Sequence, residues 1–125
     1  MKIKGWFIYC AIVLAVFGVP FLLIPKPALS LFAVTLTEAE AIMMVRVFGA
    51  ALIGLALIAW MTRNEPSSKA RQAIVLGQCV ESAIAFVVLL AGKLSGIGSA
   101  LGWLPVLIHL SMALGFGYFL LKKSN

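Results

Sequence analysis

Charged residues are scarce in this 125-residue sequence, at 11% of the total, while hydrophobic residues make up 63%. Ordinary soluble domains carry about 25% charged and roughly 45–50% apolar residues. A soluble protein of this length has too little interior to bury that much apolar surface, so lipid must cover part of it. The net charge of +6 does not indicate a nucleic-acid-binding protein, because the basic residues fall mostly in short breaks between apolar runs.

Several residue patterns of common chemistry are also missing. Cys10 and Cys79 lie in separate apolar runs without CxxC spacing, which excludes a disulfide framework, a zinc ribbon and a thioredoxin-type pair. His109 is the single histidine, so bis-histidine haem ligation within one chain is impossible, and we interpret the methionines as packing residues. There is no hydrolase triad and no glycine-rich phosphate loop. We therefore expect no metal, no cofactor and no complete catalytic set.

Four apolar runs are each long enough to cross the ~30 Å hydrocarbon core of a membrane at ~1.5 Å per residue. The first follows Lys2 and Lys4, but it is longer than the apolar part of a signal peptide and lacks a small-x-small cleavage site, so it reads as an uncleaved anchor. The segment ALSLFAV, after a break at residues 25–27, is too short to span. The sequence predicts one all-α domain over residues 1–125, a four-helix transmembrane bundle with helices at about 5–24, 38–61, 69–91 and 101–121.

Two of these helices begin with recognisable capping signals. Thr37 with Glu40 forms a capping-box pattern at the start of the second helix. Ser67 or Ser68 can cap the third helix. Pro105 is tolerable near the start of the fourth, where the missing amide is not needed.

The distribution of lysine and arginine predicts the orientation. One side of a four-span protein would carry seven of the ten basic residues, Lys2, Lys4, Arg63, Lys69, Arg71, Lys122 and Lys123. The other side carries Lys26 and Lys93, and Arg46 lies within a span. Positive loops stay inside, so both termini and the central loop are expected in the cytoplasm.

Three ionisable residues lie inside the predicted spans: Arg46, Glu81 and His109. A charged side chain at the bilayer centre costs about 2.5–3.5 kcal/mol, so each needs a partner, a route to the interface or a function. Counting from the outer helix ends places them roughly 12, 15 and 12 Å deep, respectively. All three are therefore expected at a similar depth in the outer half of the membrane.

The helix faces around these residues predict that they meet. Arg46 shares a stripe with Gly49 and the small pair Ala50-x-x-x-Gly54, and small residues mark helix contacts in membranes. Glu81 shares its stripe with Gln78. We expect a direct or one-water contact between Arg46 and Glu81, with His109 one shell further and Gln78 as a buttress.

That cluster has three interpretations. It can be an ion pair that fixes helix register. It can be a functional site, namely a proton relay, a quinone or lipid-headgroup pocket, or an ion path. Arg46 can also extend alone to the outer surface.

The order of features resembles small bacterial four-helix membrane proteins with a DoxX-like layout. The stretches that carry the resemblance are IPKPALSLFAV after the first span, RVFGAALIGL from Arg46 onward, and Arg63 after Trp60. The resemblance implies a four-helix bundle in the bacterial cytoplasmic (inner) membrane, and it implies no activity. Small multidrug-resistance transporters are similar in size, but their essential acid lies in the first helix, where this chain has no carboxylate.

We expect a non-enzymatic accessory or interaction subunit, because the loops are short and no soluble domain is present. Its partners would be the lipid bilayer and a second copy of the chain or another membrane protein. The alternative is a small transporter or membrane enzyme that uses Arg46, Glu81 and His109.

Overall fold

The computed structural model describes residues 2–122, which form five α-helices. They are α1 (Ile3–Leu23), α2 (Pro25–Ser30), α3 (Ala39–Thr62), α4 (Lys69–Leu94) and α5 (Trp103–Leu121), with a 3-10 turn at Ala100–Gly102. Four helices, α1, α3, α4 and the segment Ala100–Leu121, are long and apolar enough to cross a membrane. The prediction of an all-helical chain with four long apolar helices is thus confirmed for the described part.

The helix ends follow local chemistry. Ser68 caps α4, since its hydroxyl oxygen accepts from the Arg71 amide at 3.1 Å, as predicted. The predicted capping box of α3 is wrong: Thr37 donates to the carboxylate of Glu38, and no side chain caps the helix. The segment after α1 contains the short helix α2, which begins at Pro25 because proline is suited to a first helical position.

The long helices pack in two pairs, α1 with α3 and α4 with α5. In the first pair the backbones approach closely at two glycines: a Cβ built on Gly49 would lie 2.7 Å from the Gly18 oxygen. The α3 surface that faces α1 is the buried stripe Gly49, Leu52, Ala56 and Ala59. Within residues 2–122, α3 and α4 are not packed along each other, although they follow one another in the chain.

The two pairs meet in the half of the bundle where the chain begins, which we call the terminal end. Phe7 and Phe116 are fully buried there, with ring centroids 5.5 Å apart. The Tyr9 hydroxyl lies 2.9 Å from the Ser111 oxygen, which itself donates to the carbonyl of Ile108, so Tyr9 is the donor. These contacts link α1 to α5.

At the opposite end, which we call the cap end, the segments 24–38 and 95–102 cover the helices. The Ser99 amide donates to the Phe32 carbonyl at 2.8 Å, and its hydroxyl donates to Leu31. Gly98 has a φ of +78°, and a Cβ there would lie 2.9 Å from the Phe32 oxygen. Glycine therefore allows the two segments to touch and close this end of the bundle.

Candidate functional site

A cavity of about 460 Å³ lies between the helix pairs, in the half of the bundle nearest the cap end. Side chains of all four long helices line it, together with residues from the segment 29–34. Lys93 and His109 are the polar side chains among the lining residues that the structure describes. Lys93 is already engaged, since its ammonium donates to the carbonyls of Ser99 at 2.6 Å and Ile97 at 3.3 Å.

Phenylalanines form one wall of this cavity. Phe17 lies against Phe21 and Phe32, with ring centroids 6.0 and 6.2 Å apart. Phe21 stacks on Phe48 of α3 at 6.0 Å. The wall is therefore a continuous apolar surface that runs from α1 to both α3 and the cap.

His109 and Glu81 meet at the edge of the cavity. The imidazole Nδ1 lies 3.9 Å from the Glu81 oxygen Oε2, too far for a hydrogen bond. The His109 side chain is 14% exposed and that of Glu81 31%. The Ser82 hydroxyl donates to the same carboxylate oxygen at 3.2 Å, while Nδ1 is buried without a hydrogen-bond partner among the described residues.

Gln78 belongs to the same layer, on the buried face of α4. Its side-chain oxygen accepts from the Cys10 thiol at 3.3 Å, which joins α1 to α4. Cys79 is the neighbouring contact, donating to the Ala113 carbonyl of α5 at 3.5 Å. Cys10 was not predicted as part of this layer. Counted from the terminal end, Cys10 lies about 10 Å into α1 and Gln78 lies ~13 Å into α4. These similar depths could have indicated that the two side chains meet.

Arg46 lies apart from this layer. Its side chain is exposed on α3 and does not line the cavity, and it makes no ion pair with Glu81. The predicted direct contact is therefore wrong. The two residues lie on helices of different pairs, since α3 packs on α1 and α4 packs on α5.

The predicted small-residue contact on α3 is confirmed at Gly49 and wrong at Ala50 and Gly54. A Cβ on Gly54 would have no atom within 4 Å, and Ala50 is exposed, whereas a Cβ on Gly49 would lie 2.7 Å from the Gly18 oxygen. The stripe that packs on α1 continues from Gly49 to Leu52. Arg46 thus lies on the flank of the contact surface, away from the cavity.

A carboxylate beside an imidazole at the edge of an apolar cavity can orient the imidazole, hold or pass a proton, or present a hydrogen-bonding nitrogen to a bound molecule. Within residues 2–122, no group of three or more His, Cys, Asp or Glu side chains is placed to hold a metal ion. Of the four residues predicted for the site, the structure brings Glu81 and His109 within 3.9 Å of each other, while Gln78, one helical turn before Glu81, accepts from Cys10.

The fold and the site define an all-helical protein with four helices that could span a membrane and a mostly apolar cavity between two helix pairs. The family model described as Domain of unknown function (DUF8292) matches residues 8–124, and the chain belongs to this family. Among the curated proteins and the solved structures with which the chain was compared, nothing matches.

Proposed function

We propose that the chain is a multi-pass protein of the bacterial cytoplasmic membrane that acts without catalysis, as an accessory or interaction subunit. Both termini and the α3–α4 loop lie in the cytoplasm, and the cap end faces outward, because the basic residues concentrate at the terminal end. The resemblance in layout to DoxX-like proteins supports this membrane assignment.

The observation that carries the subunit proposal is the exposed arginine on α3. Arg46 lies about 10 Å from the first residue of α3, in a helix that would span the membrane. It has no ion-pair or hydrogen-bond partner among residues 2–122, and Met43 and Val47 beside it are each 58% exposed. A charge at that depth is stabilised when a neighbouring helix supplies a carboxylate or carbonyl oxygen. A second copy of the chain or another membrane protein would supply it.

Electrophoresis under native conditions from mild detergent tests this proposal. The wild-type chain should migrate as an assembly, and Arg46→Leu should release the monomer, whereas Arg46→Lys should retain the assembly. Arg63→Leu is the matched control, because Arg63 lies at the helix end, where its guanidinium covers the Trp60 ring at 3.8 Å. A wild-type monomer that turns over a substrate, or an Arg46→Leu assembly identical to wild type, would contradict the proposal.

The second candidate is a small transporter or membrane enzyme that uses Glu81 and His109. The 3.9 Å approach of these two side chains at the cavity edge favours it, while the position of Arg46 removes one residue from the original cluster. Proton-coupled uptake or turnover that Glu81→Gln abolishes, with membrane insertion and expression unchanged, would favour this candidate. The subunit proposal expects Glu81→Gln to leave the assembly intact.

A further inference from the structure

We propose that the cavity binds one neutral, lipid-soluble molecule, with a hydroxyl group against the imidazole of His109 and a hydrocarbon part along the phenylalanine wall. This inference is independent of the proposed subunit role, since it concerns the space inside one chain.

The size and lining of the cavity fit such a molecule. Its volume of about 460 Å³ lies within the ~300–1,000 Å³ range of small-molecule pockets. The lining runs from Gly102, in the 3-10 turn, to Met112 of α5, about 15 Å at the helical rise. That is half of the ~30 Å hydrocarbon core, the length available to the chain of one lipid leaflet. Apolar cavities stay dry and take apolar guests, so hydrocarbon is favoured over water.

His109 selects the polar end of the ligand. Its ring lines the cavity, and Nδ1 is turned toward Glu81 without a hydrogen bond. The other nitrogen, Nε2, is the one left for a ligand. The buried nitrogen without a hydrogen bond is Nδ1, and among residues 2–122 no group hydrogen-bonds Nε2 either. The Glu81 carboxylate favours the imidazole proton on Nδ1, so Nε2 presents a lone pair that a ligand hydroxyl satisfies by donating to it.

The charges around the site favour a neutral head. Glu81 lies 3.9 Å from the imidazole, so an anionic head at His109 would meet a carboxylate of the same sign. Lys93, which could attract an anion at the cap end, already donates to two carbonyls, those of Ile97 and Ser99. An alcohol or a phenol satisfies His109 without these conflicts.

Access to the cavity is lateral. The cap end is closed by the Ser99–Phe32 hydrogen bond and the close approach at Gly98. Three lining side chains are nonetheless well exposed: Phe48 of α3 at 49%, Val88 of α4 at 64% and Ile97 of the cap segment at 61%. The opening therefore lies between α3 and α4, with Ile97 at its cap-end rim, where the surrounding medium is lipid if these helices span a membrane. A lipid-soluble molecule reaches it by partitioning into the bilayer.

The test is photo-crosslinking of the purified full chain in detergent. The probes are a diazirine-bearing dodecanol, the corresponding dodecane and the corresponding dodecanoic acid, with the labelled peptides located by mass spectrometry. We expect the alcohol to label cavity-lining residues in preference to the alkane and the acid. His109→Leu should weaken alcohol binding about tenfold, the effect of one lost hydrogen bond, and His109→Gln should retain most of it.

Two matched pairs report on the cavity itself. Val88→Phe fills it, whereas Val87→Phe adds the same atoms at a neighbouring residue that is 62% exposed and does not line it. Gly92→Val and Gly77→Val form a second pair on α4, and at both glycines an added Cβ meets no atom closer than 3.9 Å. Labelling should fall in Val88→Phe and Gly92→Val and persist in the control variants Val87→Phe and Gly77→Val. Gel filtration checks that each variant is folded.

Three results would overturn the proposal. Equal labelling within both pairs would show that the probe binds elsewhere. Equal labelling by alcohol and alkane in the wild type would remove His109 as a polar partner. Preference for the acid that disappears in Lys93→Gln would place an anionic head at the cap end instead.

Discussion

Gly49→Ala should destabilise the protein because the added methyl group has no space between α1 and α3. A Cβ at Gly49 would lie 2.7 Å from both the Gly18 carbonyl oxygen and the Leu22 amide nitrogen. Both are backbone atoms, so no side-chain rotation relieves the contact and the helices must separate. Overpacking of this kind costs about 1–3 kcal/mol. A rigid backbone neighbour places Gly49→Ala toward the upper part of that range.

The matched control is Gly54→Ala on the same helix, where the new Cβ would meet no atom within 4 Å. Both variants gain the ~1 kcal/mol by which alanine favours a helix over glycine, so that contribution cancels in the comparison. Gly49→Ala should therefore unfold with a free energy about 2–3 kcal/mol lower than that of Gly54→Ala. Helix content followed by circular dichroism during titration with a denaturing detergent measures the difference. Equal midpoints for the two variants would refute the close α1–α3 packing.

Three further predictions use the same kind of paired comparison. Gly115→Ala should lower thermal stability in detergent and Gly117→Ala should not. A Cβ at Gly115 would lie 2.7 Å from the Trp6 ring, whereas one at Gly117 makes an ordinary 3.6 Å contact with Cys79. Equal melting temperatures for the two variants would contradict this prediction. Ser68→Ala should cost about 1 kcal/mol and Ser67→Ala much less, as measured by unfolding, since the Ser68 hydroxyl caps α4. Gln78→Leu should also destabilise, because it leaves the Cys10 thiol without its acceptor and breaks the α1–α4 link, by about 1 kcal/mol in the same assay.

The four long helices could be predicted because each follows from a long, mostly apolar run, and the start of α4 could be predicted from the serine before it. The similar depths of Glu81 and His109 could also be predicted by counting residues along each helix. In the structure their side chains lie 3.9 Å apart. Sequence periodicity does not specify which helix packs on which. Arg46 shows the consequence, because it lies on a helix that packs on α1 and not along α4.

The choice among the small residues of α3 could not be made locally. Ala50 and Gly54 satisfy the spacing for a close helix contact as well as Gly49 does, and the partner glycine on α1 decides between them. The cavity could not be predicted from the sequence for the same reason. It arises where the two pairs separate toward the cap end, a property of the whole arrangement.

Site-directed cysteine labelling in intact cells tests the membrane arrangement most directly. Native Cys10 and Cys79 lie within helices, Cys10 buried and Cys79 half-buried, so a membrane-impermeant maleimide should leave them unmodified. A cysteine at Ser95, in the cap segment, should react from outside. Cysteines at Asn64, in the α3–α4 loop, and at Ser124, beyond the described residues, should react only after the cells are permeabilised. Reaction of Asn64→Cys from outside would contradict a four-span protein with its cavity in the outer half of the membrane. Reaction of Asn64→Cys and Ser95→Cys from the same side of the membrane would contradict it as well.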